Sequence, residues 1–300
     1  MSADGTPVLE IFVPYWGDPG LLYDALDSVR AQTSPDWSVI VVDDAYPDPS
    51  VAAHFAQEQD PRIRYLRNET NLGIAANFQK CLDLASGDLV MFLGCDDLLE
   101  PTFVARARAT LASYPDASML QPGVQVIDDD GRPCEPLADR VKRWLRPKVD
   151  GPTLLGGEAL ARNLLHGNWL YWPSLVFRTE QVQRYPFRQD LPIILDLALI
   201  LDLIADGAQL VLDPEVTFKY RRHTASLSGV GLLDGSRFDD DRRYFLEAEQ
   251  QMRARRWSKA ARAARSRWTS RMHGMSMVPG ALKARDFAGA RVALRHAVRR

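Results

Sequence analysis

The feature that most constrains this chain is the alternation of short apolar runs and amphipathic stretches through its first hundred residues. Residues 8–15 (VLEIFVPY) read as a buried strand that ends at Pro14. Gly17 to Gly20 make a turn, after which Leu22, Ala25, Leu26 and Val29 recur at helical spacing and predict a helix ending near Gln32-Thr33. A second strand over 37–42 stops at Asp43-Asp44 and runs into a Pro/Asp/Ser-rich loop. A short helix over 51–59, a strand over 63–66 and a helix over 73–84 follow. A continuous apolar strand, LVMFL over 89–93, then places Gly94-Cys95-Asp96-Asp97 at its carboxyl end. This order predicts an α/β fold with a mostly parallel mixed sheet flanked by helices. Such sheets bind ligands beyond the carboxyl ends of their strands, and both Asp-Asp pairs fall there. Acidic pairs also make ordinary strand-end turns, so position alone leaves both readings open.

The second half is less regular. Residues 123–134 resemble a strand, a DDDG turn and a return, and 141–148 are basic around Trp144. Asn168 to Ser174 form an aromatic loop, 193–205 a helix ending at Gly207, and 210–216 and 218–221 extended segments. The best candidate for a membrane span, 191–212, carries Asp196, Asp202 and Asp206, a poor match to a bilayer interior. It reads instead as a buried helix followed by a strand. MSADGTPVLE has no basic segment leading into an apolar run, so no secretory signal is expected. Cys81, Cys95 and Cys134 form no paired framework, which predicts reduced thiols in a cytoplasmic compartment. With 300 residues, 46% of them hydrophobic, the chain can bury the core of one α/β domain with an elaboration.

Four carboxylates on one rim without a counterion would crowd like charge, which favours a bound cation or a functional use. A divalent ion held by strand-end carboxylates neutralises a leaving diphosphate, the requirement of nucleoside diphosphate-sugar chemistry. Asp96 and Asp97 are the candidates, with Asp97 as the direct ligand. Asp43 is placed to accept a hydrogen bond from a base N–H, and Asp44 to orient its loop. Inversion at a sugar carbon also needs a base for the attacking hydroxyl. Asp196 stands in the apolar helix LPIILDLALILDL, where burial would lift its pKa toward a useful range. The alternative for Asp196 is a helix-to-helix hydrogen bond or salt bridge. Asp202 lies about 240° further around the helix and faces elsewhere. The segment Tyr220 to Ser228 has polar groups suited to phosphate, and its His223 is either a ligand or a surface side chain.

Five ordered blocks now bring a resemblance into view: VPYWGDPGLLYDALDSVRAQT, VIVVDDAYPD, NLGIAANFQKCLDLASGDLVMFLGCDD, LDLALILDLIADG and YRRHTASLS. Over residues 8–228 the chain resembles family-2 glycosyltransferases of the GT-A fold. The resemblance implies an inverting, metal-dependent transferase with Mn2+ or Mg2+ and a nucleoside diphosphate-sugar donor. It implies a carbohydrate or glycolipid acceptor, as in bacterial glycan or glycoside assembly. Carried over, Pro14 and Asp18 line the nucleotide, Asp43 recognises the base and Asn77 sits near the nucleoside. Asp96 and Asp97 surround sugar, diphosphate and metal, Asp196 is the general base, and His223 touches metal or diphosphate. Two positions depart from the family pattern: Gly94 replaces the usual first aspartate of the metal motif, and Leu195 replaces a Glu before the base. Trp169, Tyr171 and Trp172 either stack on an acceptor sugar or belong to the core. The rival readings are a degenerate sugar- or partner-binding module and a nucleotidyltransferase. The second is disfavoured because VPYWGDPG has no lysine for a phosphate loop.

Overall charge of −2 hides an asymmetry, since 251–300 hold fourteen Lys or Arg against one acid, Asp286. The catalytic domain is expected over 1–232 and a basic helical extension over 233–300. Residues 238–272 read as one long helix or two, with Trp257, Ala261, Ala264 and Trp268 as its apolar stripe. A break over 274–280 and a second stripe, Phe287, Ala290 and Leu294, follow. Such a tail either lies on an anionic membrane at the cytoplasmic face, or packs on its own acidic domain or a second subunit. Nucleic acid is not expected, because no basic-aromatic module accompanies the charge.

Overall fold

The computed structural model describes residues 8–222 and 236–298. Among them nine strands form one mixed sheet. The first four are β1 (Leu9–Tyr15), β2 (Trp37–Asp43), β3 (Ile63–Arg67) and β4 (Leu89–Phe92). The others are β5 (Leu98–Leu99), β6 (Ala117–Ile127), β7 (Thr153–Leu155), β8 (Val176–Arg178) and β9 (Gln209–Arg221). Their order is β3-β2-β1-β4-β8-β6-β9-β5, with β7 added on β9. Strands β3, β2, β1 and β4 are parallel, whereas β8 runs antiparallel to both β4 and β6.

Period-two alternation in these strands divides the core into two layers. Leu9, Ile11, Val13 and Tyr15 of β1 face one layer with Val39, Val41, Leu89 and Met91. Phe12 faces the other layer, with Ile40, Val42, Val90 and Phe92. Helices α1 (Pro19–Arg30) and α4 (Phe103–Ser113) cover the first layer; α3 (Ile74–Leu84), α6 (Gly157–His166) and α8 (Leu195–Ala205) cover the second. The stripe read for α1 is its buried face, Leu22, Ala25, Leu26 and Val29. Helix α8 is apolar nearly all round because the sheet lies on one side and α9 (Ser236–Ala254) on another. Short helices α2 (Ser50–Phe55) and α7 (Thr179–Val182) fill connections, and α5 (Leu137–Leu145) crosses the rim beyond β6.

The basic tail divides into two parts. Tyr244, Phe245, Ala248 and Met252 of α9 join the core cluster of the catalytic layer, as do Ala260, Ala261, Ala263 and Ala264 of α10 (Ser258–Ser266). Helices α11 (Trp268–Lys283) and α12 (Phe287–Val298) pack chiefly on each other. The expected break over 274–280 is absent, since α11 runs through both Gly274 and Pro279. Gly274 is a contact rather than a stop: a Cβ there would lie 3.0 Å from His296 Cδ2 and 3.1 Å from the Ala293 carbonyl oxygen. The expected second stripe is also corrected. Ala290 is buried with Ala293 and Ala297, whereas Phe287 is 70% exposed and Leu294 46%. Among the described residues no helix is long and apolar enough to cross a membrane. The three cysteines are free.

Candidate active site

The ends of β1 and β2 are level, with Pro14 opposite Val42 and Tyr15 opposite Asp43. Asp43 is fully buried. Its carboxylate accepts from the Tyr46 N–H and from Arg67, each at 2.7 Å, and from the Tyr65 hydroxyl. These donors fix the following loop, so that Tyr46 meets the half-exposed Trp16 edge-on at 5.5 Å. Asp44 orients the next loop by accepting from Asn68 Nδ2, Leu72 N and Gly73 N at 2.8, 2.8 and 2.9 Å. Asn77 is a strut between that loop and the sheet, donating to the Val42 carbonyl and accepting from Asn68, both at 3.0 Å. Pro14 stays within β1, and Asp18 caps α1 by accepting from Gly20 N at 2.7 Å.

Beyond β4 the chain turns so that Asp97 is fully buried. One carboxylate oxygen accepts from the Arg221 N–H at 2.8 Å; the other, Oδ2, is buried without a hydrogen-bond partner among the described residues. Burial, then the nearby Asp96 charge, pushes the Asp97 carboxyl well above the usual carboxylate range. Arg221 bolts the site together. Its guanidinium donates to the Asp96 carbonyl at 2.9 Å and to the Asp128 and Asp129 carbonyls at 3.2 and 2.9 Å. Gly94 makes room for both carboxylates, because a Cβ there would lie 2.5 Å from Asp97 Oδ2 and 2.8 Å from Asp96 Oδ1. An orphaned buried carboxylate oxygen beside a second carboxylate fits a divalent cation. Among the described residues no cluster of three or more His, Cys, Asp or Glu offers a full protein shell. Asp96 and Asp97 are the residues that could hold such an ion. His223 lies outside the described residues.

Asp196 sits half-buried in the first turn of α8 and accepts from Asn168 Nδ2 at 3.2 Å. Burial raises its pKa, while the Leu197 N–H and the Lys142 charge oppose that rise. Asp202 is held elsewhere, by Gln251 at 2.6 Å. Lys142, from α5, donates to the Leu170 carbonyl at 2.6 Å and stands 4.3 Å over the Tyr171 ring. Burial, then the Arg222 charge, pushes its pKa down to about 8. Arg222 forks onto the buried Asp139 with two bonds of 2.9 Å, and the Tyr171 hydroxyl donates to the same carboxylate at 2.9 Å. The charge of Arg222 is felt at both Asp97 and Lys142, and that of Lys142 at Asp196. Arg222 and Lys142 are thus the charged groups that stand between the influence of the strand-end carboxylates and that of the α8 carboxylate.

Of the three aromatic candidates, Trp169 is 1% exposed, with its indole N–H on Asn163, and takes the core alternative. Trp172 stacks on Phe92 at 5.6 Å inside a cluster with Phe78, Phe177 and Phe187. Tyr171 lines a cleft of about 420 Å³ under α5, together with Lys142 and Arg146. The pattern of the sequence does not single out Lys142 and Asp139, on the short helix α5, or Asn168, in the loop after α6. The signal that was present was the basic run 141–148, whose buried face is the informative one.

The sequence model of glycosyl transferase family 2 matches residues 10–161. An uncharacterized protein of Mycobacterium tuberculosis is 29% identical over 248 residues, covering 80% of this chain and 75% of the relative. The succinoglycan biosynthesis protein ExoO of Rhizobium meliloti is 26% identical, covering 78% of this chain and 66% of ExoO. For another relative, from Sinorhizobium fredii, the chain spans only 14% of the relative's length. Among solved structures, residues 1–349 of S. aureus TarS in complex with UDP-GlcNAc superpose with a TM-score of 0.63 at 14% identity. That match covers 96% of this chain and 90% of the other. With the family matched over half its length and the sheet order and flanking helices in place, the chain belongs to glycosyl transferase family 2 and has the GT-A fold.

Proposed function

We propose that this protein is an inverting glycosyltransferase that moves a sugar from a nucleoside diphosphate donor to a hydroxyl of a carbohydrate or glycolipid acceptor. The observation that carries the reading is two perturbed carboxylates, linked electrostatically through Arg222 and Lys142. Asp97 has a buried, unpartnered oxygen at the end of β4; Asp196 has a raised pKa at the head of α8. Asp196 takes the proton from the acceptor hydroxyl as its oxygen bonds to the anomeric carbon. The bond from that carbon to the diphosphate breaks on the opposite face, so configuration inverts. A divalent cation at Asp97 and Asp96 would neutralise the departing diphosphate. Arg221 holds the Asp97 carboxylate and the backbone of Asp96 in place. Asn168 orients Asp196, and Lys142 tempers the pKa of Asp196. On the nucleotide side the exposed Trp16 and Tyr46 border the loop that Asp43 organises, with Pro14 and Asp18 beside them. Polysaccharide assembly is the setting suggested by the likeness to ExoO.

The test is a panel of nucleotide-sugars, beginning with UDP-GlcNAc because the TarS structure holds it, with and without Mn2+. Turnover should require the cation, and Asp196→Asn should lower it by about 10²–10⁴-fold while donor binding persists. Unchanged turnover in that variant would remove Asp196 as base. Donor binding without turnover on any acceptor would favour a sugar-binding module instead. Exposed Met272, Met275, Leu282, Phe287 and Leu294 of α11 and α12, with exposed Lys283, Arg291 and Arg295, suit peripheral contact with an anionic bilayer, which vesicle co-sedimentation at low and high salt checks.

A further inference from the structure

We infer that the cleft under α5 binds a phosphate group carried by the acceptor, so that the transferase acts on a phosphate-bearing glycan or polyol. The inference rests on the reading of Asp196 as the base, since that residue marks the acceptor side. The cleft, about 420 Å³, is lined from α5 and its end by Arg140, Lys142, Arg143 and Arg146, with Tyr171 opposite.

Its acids are already engaged. Glu135 pairs with Arg143, and Asp139 is taken by Arg222 and Tyr171. Lys142 donates only to a carbonyl and lies over an aromatic face, and Arg146 donates to the Asp213 carbonyl at 3.0 Å. Among the described residues no carboxylate lies within ion-pair distance of Lys142, Arg146 or the exposed Arg140. Burial depresses the pKa of both Lys142 and Arg146, so each is a cation kept where its charge is poorly solvated. Asp139 and Asp196 act on Lys142, and Asp213 on Arg146, only from beyond ion-pair distance, and burying two such cations is costly unless a ligand supplies a closer counter-charge. An ammonium and a guanidinium converging on one cleft match the tetrahedral oxygens of a phosphate.

The donor diphosphate is not the natural occupant. None of Asp43, Asp96, Asp97 and Asp196 lines this cleft, but its Lys142 acts electrostatically on Asp196 and not on the strand-end carboxylates. A phosphate bound here would contact Lys142, whose charge acts on Asp196, and so would tie the acceptor to the Asp196 side of the molecule.

The experiment uses the full chain and calorimetric titration with glycerol phosphate, glucuronate and glycerol, in the presence of saturating UDP and Mn2+. Glycerol phosphate should bind with UDP in place, and glycerol should not. Lys142→Gln should weaken the phosphate by about tenfold, the loss of one charge-assisted contact. Arg140→Gln, on the exposed rim, should weaken it by a smaller factor and guards against misfolding of the first variant. Asp97→Asn should leave it unchanged. Phosphate binding that UDP displaces, or that Asp97→Asn abolishes while Lys142→Gln spares, overturns the proposal by assigning the anion to the donor side. Tighter binding of glucuronate overturns the choice of phosphate, and absence of binding by either anion overturns the site. If the wild type binds glycerol phosphate but not UDP, the transferase reading fails while the cleft assignment stands.

Discussion

Substituting Gly94 by Ala tests how the metal motif of this chain is packed. The backbone at 94 is outside the left-handed region, so Ala itself imposes no conformational strain. What it meets is the two carboxylates: its Cβ would lie 2.5 Å from Asp97 Oδ2, 3.2 Å from Asp97 Cγ and 2.8 Å from Asp96 Oδ1. An ordinary carbon–oxygen contact needs Asp97 to withdraw by about half an ångström or more. Asp97 is fully buried and its other oxygen is tied to the Arg221 N–H at 2.8 Å, so withdrawal stretches that bond. Overpacking costs about 1–3 kcal/mol, and a hydrogen bond to a charged group is worth about 1.5–3 kcal/mol. Against this, Gly→Ala gains about 0.4–1 kcal/mol through the unfolded chain. A net loss of roughly 1–3 kcal/mol should appear as a drop in Tm of about 2–4 °C per kcal/mol. Mn2+-dependent UDP binding, followed by calorimetry, should weaken in parallel. Gly94→Asp, which restores the residue usual in the family, should lose more stability without metal and regain part of it with Mn2+. An Ala variant as stable as the parent, with unchanged metal-dependent binding, would refute the packing argument.

Three further outcomes follow from the same carboxylates and their neighbours. Asp97 has a raised folded-state pKa, so its ionised form costs stability above the unfolded-state value and that cost is relieved as pH falls. Asp97→Asn should therefore raise the Tm of the metal-free protein by roughly 2 °C or more while removing metal-dependent donor binding. A lower Tm would show that the ionised carboxylate is a net stabiliser. Asp196 must be ionised to act as a base, so kcat at saturating acceptor should rise with pH through its raised pKa. Because the Lys142 charge lowers that pKa, Lys142→Gln should shift the acid limb to higher pH, and an unmoved limb would separate the two groups. Lys142 faces Arg222, Asp196 and Asp139 and titrates at about 8, so phosphate affinity in the cleft should decline above that pH in the parent and not in Lys142→Gln.

Several features of this protein were determined by its sequence alone, because they depend on local periodicity and composition. The strands over 9–15, 37–43, 63–67 and 89–92 and the helices between them follow from apolar alternation and helical spacing. Both Asp-Asp pairs at strand ends follow as soon as those elements are drawn, and so does the buried character of the apolar helix bearing Asp196. The quality of each carboxylate was decided only in three dimensions. Asp43 is expected to meet a base and Asp44 to orient its loop, yet both carboxylates are engaged within the protein, the first by Tyr46, Tyr65 and Arg67 and the second by the loop over 68–73. The absence of a side chain at Gly94 looks like a loss in the motif; the fold shows it as the space that two carboxylates occupy. Trp169 and Tyr171 stand two residues apart and both border the cleft under α5, but Trp169 is buried in the core with its indole N–H on Asn163, whereas the half-buried Tyr171 donates to Asp139. The same holds for the tail, where Gly274 is a helix contact and not a helix end. Local pattern specifies where a chain turns and which face is apolar. Which polar groups meet, and which are left without a partner, depends on segments far apart in sequence: α5, the 168–174 loop and the end of β9 reach one site only because the sheet brings them there.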